Sequence, residues 1–472
     1  MLSGLPPPGP LTSQRQRGRK MAIDVGTRSA RKAPMLSFRH VRKVLREPLE
    51  TFERLGQEAN GEITRVNLGV SRPYLLTRPE HVQHVLRDNA ANYPREGMMW
   101  KPLTRLVGEI AGEGSEWALN RGIFQRLLSG PNIASVTDEM ARTIAEGVGH
   151  LAERAGGDPV DSQAEMTRIV QRAIIRIFFG GRISLTEADH LADAIRTATR
   201  SIGFRMLLPF VPLSVPLPGD RSFKSAVRAV DEVIFPLVEE ARRGEAKERD
   251  IVSMLIETKD EQGRSLNDQQ VRDGVVAMFT AGTETTATAL TWLWVVLDSH
   301  PEIADRVYSE IDEVLGTEAP GRSHLPELRY TKMVIQELLR VYSVGWVIPR
   351  TSVADDVIDG VKIKGGSTIL ISPYLTHRLH DVWPHPEVFD PERFSHSRSK
   401  GRHRFAYMAF GAGAHQCVGT LFFTVEAQLI ASTLLQRFRP VVRNENPIKP
   451  QVRLTLIPKE QVQIVLEPVG RS

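Results

Sequence analysis

The sequence predicts a mostly α-helical fold with a small β region, and two observations carry this prediction. From Pro79 to His300 the chain reads mostly as helix, interrupted by Gly-Pro and Gly-Gly pairs that mark turns. Two other stretches, residues 63–77 and 347–371, have the short apolar runs and turn residues of strands. We therefore expect a helical body that carries small antiparallel β structure.

The longest helical signal runs from Ser265 to His300, and Ser265 with Asp268 resembles a capping arrangement at its start. About 33 residues at 1.5 Å each give roughly 50 Å, enough to cross the whole molecule. The middle of this helix, Phe279–Thr286, contains a glycine and four threonines, which are poor helix formers, and an acid in an otherwise apolar helix. Such a conflict between local and global structure often marks a functional site.

The remaining elements follow in order. Helices are predicted at Pro301–Gly316, Leu325–Tyr342 and Cys417–Phe438, and strand-like alternation at Val452–Val465. The apolar segment Gly203–Gly219 holds four prolines, which prevent a continuous helix. It either covers the core or forms a mobile lid over an apolar pocket.

Composition excludes several classes of protein. The 472 residues are 41% hydrophobic and 25% charged, which excludes a wholly disordered chain. A single cysteine excludes an internal disulfide and any zinc or iron–sulfur site built from several thiolates. It fits a reducing compartment, and we expect the cytoplasm. No run of about 18 apolar residues is present, so we expect no transmembrane segment.

Positive charge is concentrated at the N-terminus. Residues 1–34 have a formal net charge of +6. The remaining residues sum to −1, which gives +5 for the whole chain. Nucleic-acid binding needs a basic face on the folded part, and we expect no nucleic-acid partner. We predict that 1–34 is a disordered basic tail containing proline and glycine, or a targeting or surface-binding segment, and that 35–472 is a single domain.

The sharpest local feature is the segment Phe410–Gly419, reading FGAGAHQCVG, around the only cysteine. Its three glycines let the backbone adopt positive φ and wrap closely around a flat ligand. Neighbouring amides and the N-terminus of the next helix favour a thiolate, the form in which cysteine ligates iron. A dinucleotide-binding loop is excluded because Gln416 stands where that motif needs glycine. Taken alone, Cys417 also fits a small buried apolar residue.

Four motifs, in the family's order, resemble those of the cytochrome P450 family. They are the cysteine frame of Phe410, Gly413, Cys417 and Gly419, the helix motif Ala281–Thr286, the pair Glu337 and Arg340, and the segment containing Trp383, Pro386, Phe389 and Pro391–Phe394. The resemblance extends over about residues 35–466. It implies the cytochrome P450 fold, a helical prism that encloses haem.

The resemblance also implies the cofactor and its ligands. The cofactor is haem b (iron protoporphyrin IX), with the thiolate of Cys417 as axial ligand favouring O–O cleavage. The other cofactor-binding residues that it implies are Trp117, Arg121, Arg350, Phe410, Gly411, Ala281 and His415. Trp117, Arg121 and Arg350 match the family's propionate-binding positions. His415 stands where the family usually has an arginine that pairs with a propionate, and we expect His415 to take that role.

For catalysis the resemblance assigns proton delivery to Glu284 and Thr285, and Gly282 is expected to leave room for O₂ against the helix. Glu337, Arg340 and Arg393 are expected to form a buried triad with a structural role. The cluster of His377, His380 and His385 has no zinc-binding helix motif, and we interpret it as structural.

The implied activity is monooxygenation: one atom of O₂ enters a lipophilic substrate of terpenoid, steroid, fatty acyl or polyketide-like type. The chain has no flavin or iron–sulfur signature, so electrons come from a separate donor of the ferredoxin/ferredoxin reductase type. The basic run Arg398, Lys400, Arg402 and Arg404 either docks that donor or is a solvated loop. Alternatives are a peroxide-driven peroxygenase, an oxygen-independent isomerase, or a non-catalytic haem sensor.

The substrate pocket is expected to be apolar. Its predicted segments are Met98–Val107, Phe204–Phe210, Met278–Ala281, Val344–Ile348 and Leu454–Leu456, with Trp346 narrowing the cavity.

Overall fold

The computed structural model describes residues 32–35, 48–67, 71–96, 100–202, 205, 211–212, 214–245, 250–259, 263 and 265–469. The helices are α1 Pro48–Ala59, α2 Pro79–Gln83, α3 Lys101–Val107, α4 Ser115–Leu127, α5 Gly130–Ala155, α6 Ser162–Phe179, α7 Leu185–Ser201, α8 Asp220–Arg242, α9 Ile251–Glu257, α10 Asp268–Ser299, α11 Pro301–Leu315, α12 Arg329–Val341, α13 Pro373–Thr376, α14 His396–Ser399 and α15 Thr420–Leu435. The strands are β1 Thr64–Arg65, β2 Tyr74–Leu76, β3 Val160–Asp161, β4 Ile348–Thr351, β5 Asp356–Ile358, β6 Val361–Ile363, β7 Thr368–Ile371, β8 Phe438–Val442, β9 Pro450–Val452, β10 Leu456–Pro458 and β11 Gln463–Pro468. The mostly helical fold with a small β region is confirmed.

Two predicted features fall largely outside the described residues. Of the basic tail 1–34, only residues 32–34 are described. The proline-rich segment Gly203–Gly219 is described only in part. Within the described ranges, no helix combines the length and the apolar character that crossing a membrane requires.

The long helix α10 lies in the helical core, where it contacts α6, α8, α12 and α15. It begins three residues after the predicted start, because the cap is Asn267 rather than Ser265. The amide of Gln270 donates to Asn267 Oδ1 at 2.8 Å, and the amide of Asn267 donates to Gln270 Oε1 at 2.9 Å, a reciprocal capping box. The second half of α10 is apolar on nearly all sides, and Trp292 and Trp294 are fully buried.

The principal sheet has the strand order β1-β2-β7-β4. The antiparallel pairing expected within 347–371 is present between β4 and β7, but β2 joins the same sheet by pairing with β7 in parallel. This four-stranded sheet is therefore mixed, and it ties β1 and β2 to strands of the C-terminal half. The register places Arg350 opposite Ile369 on the central strand β7.

The predicted triad of Glu337, Arg340 and Arg393 is formed. Both carboxylate oxygens of Glu337 bind Arg340, at 2.7 and 2.8 Å, and one of them lies 3.3 Å from Nε of Arg393. All three side chains are buried. Glu337 also accepts the amide of Asp390 at 2.9 Å, so the triad fixes the segment that leads to the cysteine loop.

His377 has structural contacts, as predicted. Its Nε2 accepts the amide of Met408 at 2.9 Å, and its Nδ1 lies 2.8 Å from the hydroxyl of Ser343. Complete burial and the charge of Arg340 lower the pKa of His377 to about 3, so the ring is neutral. It ties the start of the cysteine loop to α12 and to the sheet.

Candidate active site

The cysteine loop depends on two glycines with positive φ. Gly411 has φ +68° and Gly413 has φ +72°, a region that side chains rarely adopt. A Cβ at Gly413 would also collide with the carbonyl oxygen of Leu86, in the helical turn His84–Asp88 that follows α2. The loop closes on itself, because the amide of Cys417 donates to the carbonyl of Phe410 at 2.8 Å. The glycines therefore determine both the shape of the loop and its close approach to the backbone of Leu86.

Cys417 ends this loop, and α15 begins three residues later, at Thr420. The prediction that Cys417 itself opens the helix is wrong: Gly419 takes the capping position, and the Thr420 hydroxyl donates to the carbonyl of Cys417 at 3.0 Å. The cysteine is accessible although its loop is packed against the core. Desolvation raises the pKa of Cys417, while the amide of Gly419 and the charges of Arg121 and Arg95 act in the opposite direction.

Three arginines from different parts of the chain converge beside this loop. Arg121 on α4 donates to the carbonyl of Gln416, and Arg95 donates to the carbonyl of His415 at 3.4 Å. Arg350 on β4 is 3% exposed and, within the described residues, donates only to the adjacent carbonyl of Pro349, at 2.8 Å. The sequence predicted Arg121 and Arg350 for this region but missed Arg95, which belongs to no recognised motif.

The arginines lack sufficient negative partners. Desolvation lowers the pKa of Arg95 to about 10 and that of Arg350 to about 9, and repulsion between the two adds to the shift of Arg350. One acid, Glu113, opposes both shifts. Among the described residues, one carboxylate lies near these three guanidinium groups, which leaves two positive charges unbalanced, so this cluster is suited to a ligand with two negative charges.

His415 lies within the same cluster. Its Nε2 is 2.8 Å from Oε1 of Glu113, and its ring packs on Trp117 with centroids 4.1 Å apart. Burial and the charges of Arg95, Arg350 and Arg121 lower the pKa of His415 to about 3. A carboxylate beside Nε2 favours the protonated ring, in which both ring nitrogens are donors. Sequence reasoning missed Glu113, which only the folded chain brings to His415.

Glu284 and Thr285 lie on adjacent positions of α10, next to Ala281, which is exposed although the helix runs through the core. The Thr285 hydroxyl donates to the carbonyl of Ala281 at 2.5 Å. Glu284 accepts from the hydroxyl of Thr455 at 3.5 Å, so the acid is linked to the C-terminal segment. Thr455 is 8% exposed and is a further polar residue of the site, within the predicted pocket segment 454–456.

The structure shows a packing role for Gly282. A Cβ at Gly282 would lie 2.9 Å from Cδ1 of Ile174 on α6. The missing side chain thus allows α6 to pack closely against α10, and the expectation that Gly282 leaves room for O₂ stays a prediction.

The predicted pocket segments are described in part. Met98, Met99 and, apart from Arg205, Phe204–Phe210 lie outside the described residues. Met278, Val344 and Leu456 are buried. Trp346 packs edge-to-face on Phe52 of α1, with centroids 5.3 Å apart, and its indole donates to the carbonyl of Arg453 at 3.1 Å. These contacts hold α1 against the C-terminal segment.

A comparison with protein-family models matches residues 34–466 to the family described as Cytochrome P450. The chain belongs to the cytochrome P450 family. It is an oxidoreductase, and relatives in this family are named monooxygenases and oxygenases.

Curated P450 relatives are similar over most of their length. Cyclooctat-9-en-7-ol 5-monooxygenase of Streptomyces melanosporofaciens is 32% identical over 403 residues, covering 85% of this chain and 86% of the relative. Pentalenene oxygenase of Streptomyces avermitilis is 28% identical over 437 residues, covering 90% and 94%. The solved haem domain of cytochrome P450DA superposes with a TM-score of 0.84 at 21% identity, covering 93% of this chain and 98% of that domain. This structural likeness shows the fold.

The P450 family implies haem, and the residues of this chain fit such a group. Haem carries two propionate carboxylates, which match the two unbalanced positive charges. Three buried nitrogen atoms of the cluster have no hydrogen-bond partner among the described residues: Arg95 Nε, Trp100 Nε1 and His415 Nδ1. An accessible thiol on a glycine-shaped loop beside them would supply a sulfur ligand to its iron.

Proposed function

We propose that this P450 is a haem-thiolate monooxygenase that uses O₂ and a separate electron donor to oxygenate a terpenoid substrate. The observation that carries the proposal is the cluster of Arg95, Arg121 and Arg350 around the loop that bears Cys417. Bound haem b would supply oxygen activation, and the protein supplies ligation, orientation and protons.

Cys417 is the proposed axial ligand. Desolvation disfavours its thiolate, whereas the Gly419 amide and two arginines favour it. Iron binding requires the deprotonated sulfur, and these positive groups lower the cost of forming it. Arg95, Arg121 and Arg350 are proposed to hold the propionates, with Trp117 and His415 beside them. Phe410, Gly411 and Ala281 are proposed to border the haem.

Glu284 and Thr285 are proposed to deliver protons. The hydroxyl proton of Thr285 is held on the carbonyl of Ala281, at the exposed face of α10. The carboxylate of Glu284 accepts a hydrogen bond from the hydroxyl of Thr455. A proton carried by Glu284 therefore has a neighbouring hydroxyl group with which it can exchange. An acid next to a hydroxyl is suited to passing protons one at a time without admitting bulk water.

The terpenoid assignment rests on the relatives. Cyclooctat-9-en-7-ol 5-monooxygenase, cyclooctatin synthase and pentalenene oxygenase bear names that point to polycyclic terpenes as substrates. The buried apolar side chains of Met278 and Val344, in two predicted pocket segments, suit such a molecule.

The experiment is a ligand screen on the purified haem-loaded protein. Polycyclic terpenes, steroids and fatty acids are added in turn, and the shift of the Soret band that accompanies displacement of water from the iron is recorded. We expect terpenes to give the largest shifts, and their turnover to require O₂, a ferredoxin and its reductase. Turnover with H₂O₂ alone at the same rate would instead support a peroxygenase, and tight haem without any ligand-dependent electron consumption would support a sensor.

The electron donor is proposed to be an acidic, ferredoxin-type protein that binds near the basic run. Two of its four residues have structural contacts: Arg398 binds Asp390 at 2.7 Å, and Arg402 stacks 4.3 Å from the ring centroid of Trp383. Lys400 and Arg404 are exposed. Reversing these two charges together should slow reduction at low salt, whereas reversing Lys224 and Arg228, exposed on α8, should not. Equal rates for both double variants would exclude this docking surface.

A further inference from the structure

Among the described residues, Glu113 is the only acid within hydrogen-bonding distance of the arginine–histidine cluster. Its Oε1 accepts the main-chain amide of Arg95 at 2.6 Å and lies 2.8 Å from Nε2 of His415. Glu113 precedes α4, Arg95 precedes α3 and His415 belongs to the cysteine loop. One carboxylate oxygen therefore joins three segments of the chain at the edge of the proposed haem site.

An acid is unexpected at a site suited to two carboxylates, because it repels them. The position of Glu113, on the side of His415 turned away from the proposed propionates, accounts for its presence. Glu113 takes the Nε2 side of His415, so Nδ1, which is buried and has no partner among the described residues, is the ring nitrogen left for another group. The ring is also held by packing on Trp117, at 41° between the planes. Partners of this kind fix the orientation of a histidine ring at a cofactor site.

Arg95 is fixed in the same way. Its amide is bound by Glu113, its guanidinium lies 5.0 Å from the ring centroid of Trp100, and one NH₂ group donates to the carbonyl of His415. Its Nε is left buried and without a partner among the described residues. The two groups that Glu113 holds thus each keep one nitrogen free for the ligand.

We propose that Glu113 is a positioning residue for haem retention, which holds His415 and Arg95 so that their free nitrogens meet the haem propionates. This inference rests on the proposed function, since it requires that haem b binds beside Cys417. Glu113 itself contacts no propionate and acts through its two partners. Groups that orient the direct partners of a bound cofactor typically change affinity by about 10–100-fold when removed.

The test measures the rate at which haem leaves the ferric protein for excess apomyoglobin. The variants are Glu113→Ala, Glu113→Gln, His415→Ala and the double variant Glu113→Ala/His415→Ala. The matched control is Glu96→Ala, which removes an exposed acid next to Arg95 in sequence. Resonance Raman bands of propionate bending provide a second readout, because they report hydrogen bonding to the propionates directly.

We expect Glu113→Ala to lose haem about tenfold faster than wild type and to shift the propionate bands. Glu113→Gln should stay near the wild-type rate, because its amide oxygen still accepts both N–H groups. The effect of Glu113→Ala should shrink once His415 is already alanine. If Glu113→Ala does not fold, Glu113→Asp, which withdraws the carboxylate by one methylene group, should show the faster loss instead.

Three results would overturn the inference: haem loss from Glu113→Ala at the rate of Glu96→Ala, equal loss from the alanine and glutamine variants, or an undiminished effect without His415. Failure of the proposed function looks different, since wild-type protein would then take up no haem or hold it without sulfur ligation.

Discussion

At the scale of single residues, Thr285 has a close counterpart on the same helix. Its hydroxyl donates to the carbonyl four residues earlier, and Thr291 does the same to Ala287 at 2.9 Å. The two differ in surroundings, because Thr291 is fully buried whereas Thr285 lies beside exposed Ala281 and next to Glu284. The backbone hydrogen bond alone therefore does not set Thr285 apart, and its location does.

We expect Thr285→Ala to consume electrons and O₂ while releasing mainly hydrogen peroxide in place of oxygenated product. The physical reason is the loss of a hydroxyl that directs protons during O–O cleavage. Product formed per electron pair is measured, with Thr291→Ala as the matched control. Coupling that stays at the wild-type value in Thr285→Ala would exclude this role.

A second residue of interest is Glu426, a fully buried acid on α15. Burial raises the pKa of Glu426 to about 8, and the influence of Thr286 on α10 acts in the opposite direction. The folded protein thus keeps this carboxyl protonated at pH values at which the unfolded chain ionises it. Its contribution to the free energy of unfolding is present at low pH and is lost as the pH rises from about 4.5 to about 8.

Glu426→Gln removes this titration. Between about pH 5 and 8, we expect the variant to gain up to about 1.4 kcal/mol per pH unit in unfolding free energy relative to wild type. Urea unfolding of the haem-loaded proteins over that range measures it, and Glu80→Gln, at an exposed acid on α2, should show no such slope. A pH-independent difference between Glu426→Gln and wild type would show that Glu426 is ionised in the folded protein.

The sequence predicted those site residues whose signals are local. Gly411, Gly413 and Cys417 lie within ten consecutive positions, so their spacing alone indicates a loop around a ligand. Arg95 and Glu113 carry no such signal, because they reach the cysteine loop only through the packing of α3 and α4, some 300 residues earlier in the chain. Glu426 is likewise one acid in an apolar helix until the fold buries it.

At the scale of secondary-structure elements, the buried triad joins α12 to the segment before the cysteine loop. Removing one partner of a buried ion pair costs about 3–5 kcal/mol, because the remaining charges lose their compensation. We expect Glu337→Ala to yield insoluble or haem-free protein. Expression yield and the ratio of Soret to protein absorbance measure the effect.

The matched control for this triad is Glu327→Ala. Glu327 pairs with Arg329 at 3.2 Å near the start of the same helix, but these side chains are 58% and 75% exposed. Exposed pairs contribute roughly 0–1 kcal/mol, so this variant should retain haem. Comparable haem loss from both variants would mean that the buried triad has no special role.

Element types were predictable, whereas their ends were less so. α10 was predicted from its length and periodicity, but two capping arrangements competed at its start and the Asn267–Gln270 pair formed. The parallel pairing of β2 with β7 was not predictable, since it joins Tyr74 to Ile369 and neither strand has a pattern that specifies its partner.

At the scale of the whole molecule, helical periodicity over most of the chain was sufficient to predict the fold class. The distribution of charge was informative in a different way. Outside the N-terminal tail the chain is nearly neutral overall, yet the fold gathers three arginines around one loop and gives them a single acid. Such a local excess of buried positive charge is costly unless a ligand balances it.

The central claim is that haem iron binds the sulfur of Cys417. The most direct measurement is the difference spectrum of the reduced protein with and without carbon monoxide, for wild type and Cys417→Ala. The account predicts the strongly red-shifted Soret band of a thiolate-ligated carbonyl complex in wild type, and its complete loss in the variant. A wild-type band at the position typical of histidine-ligated haem proteins, or the same spectrum from Cys417→Ala, would contradict it.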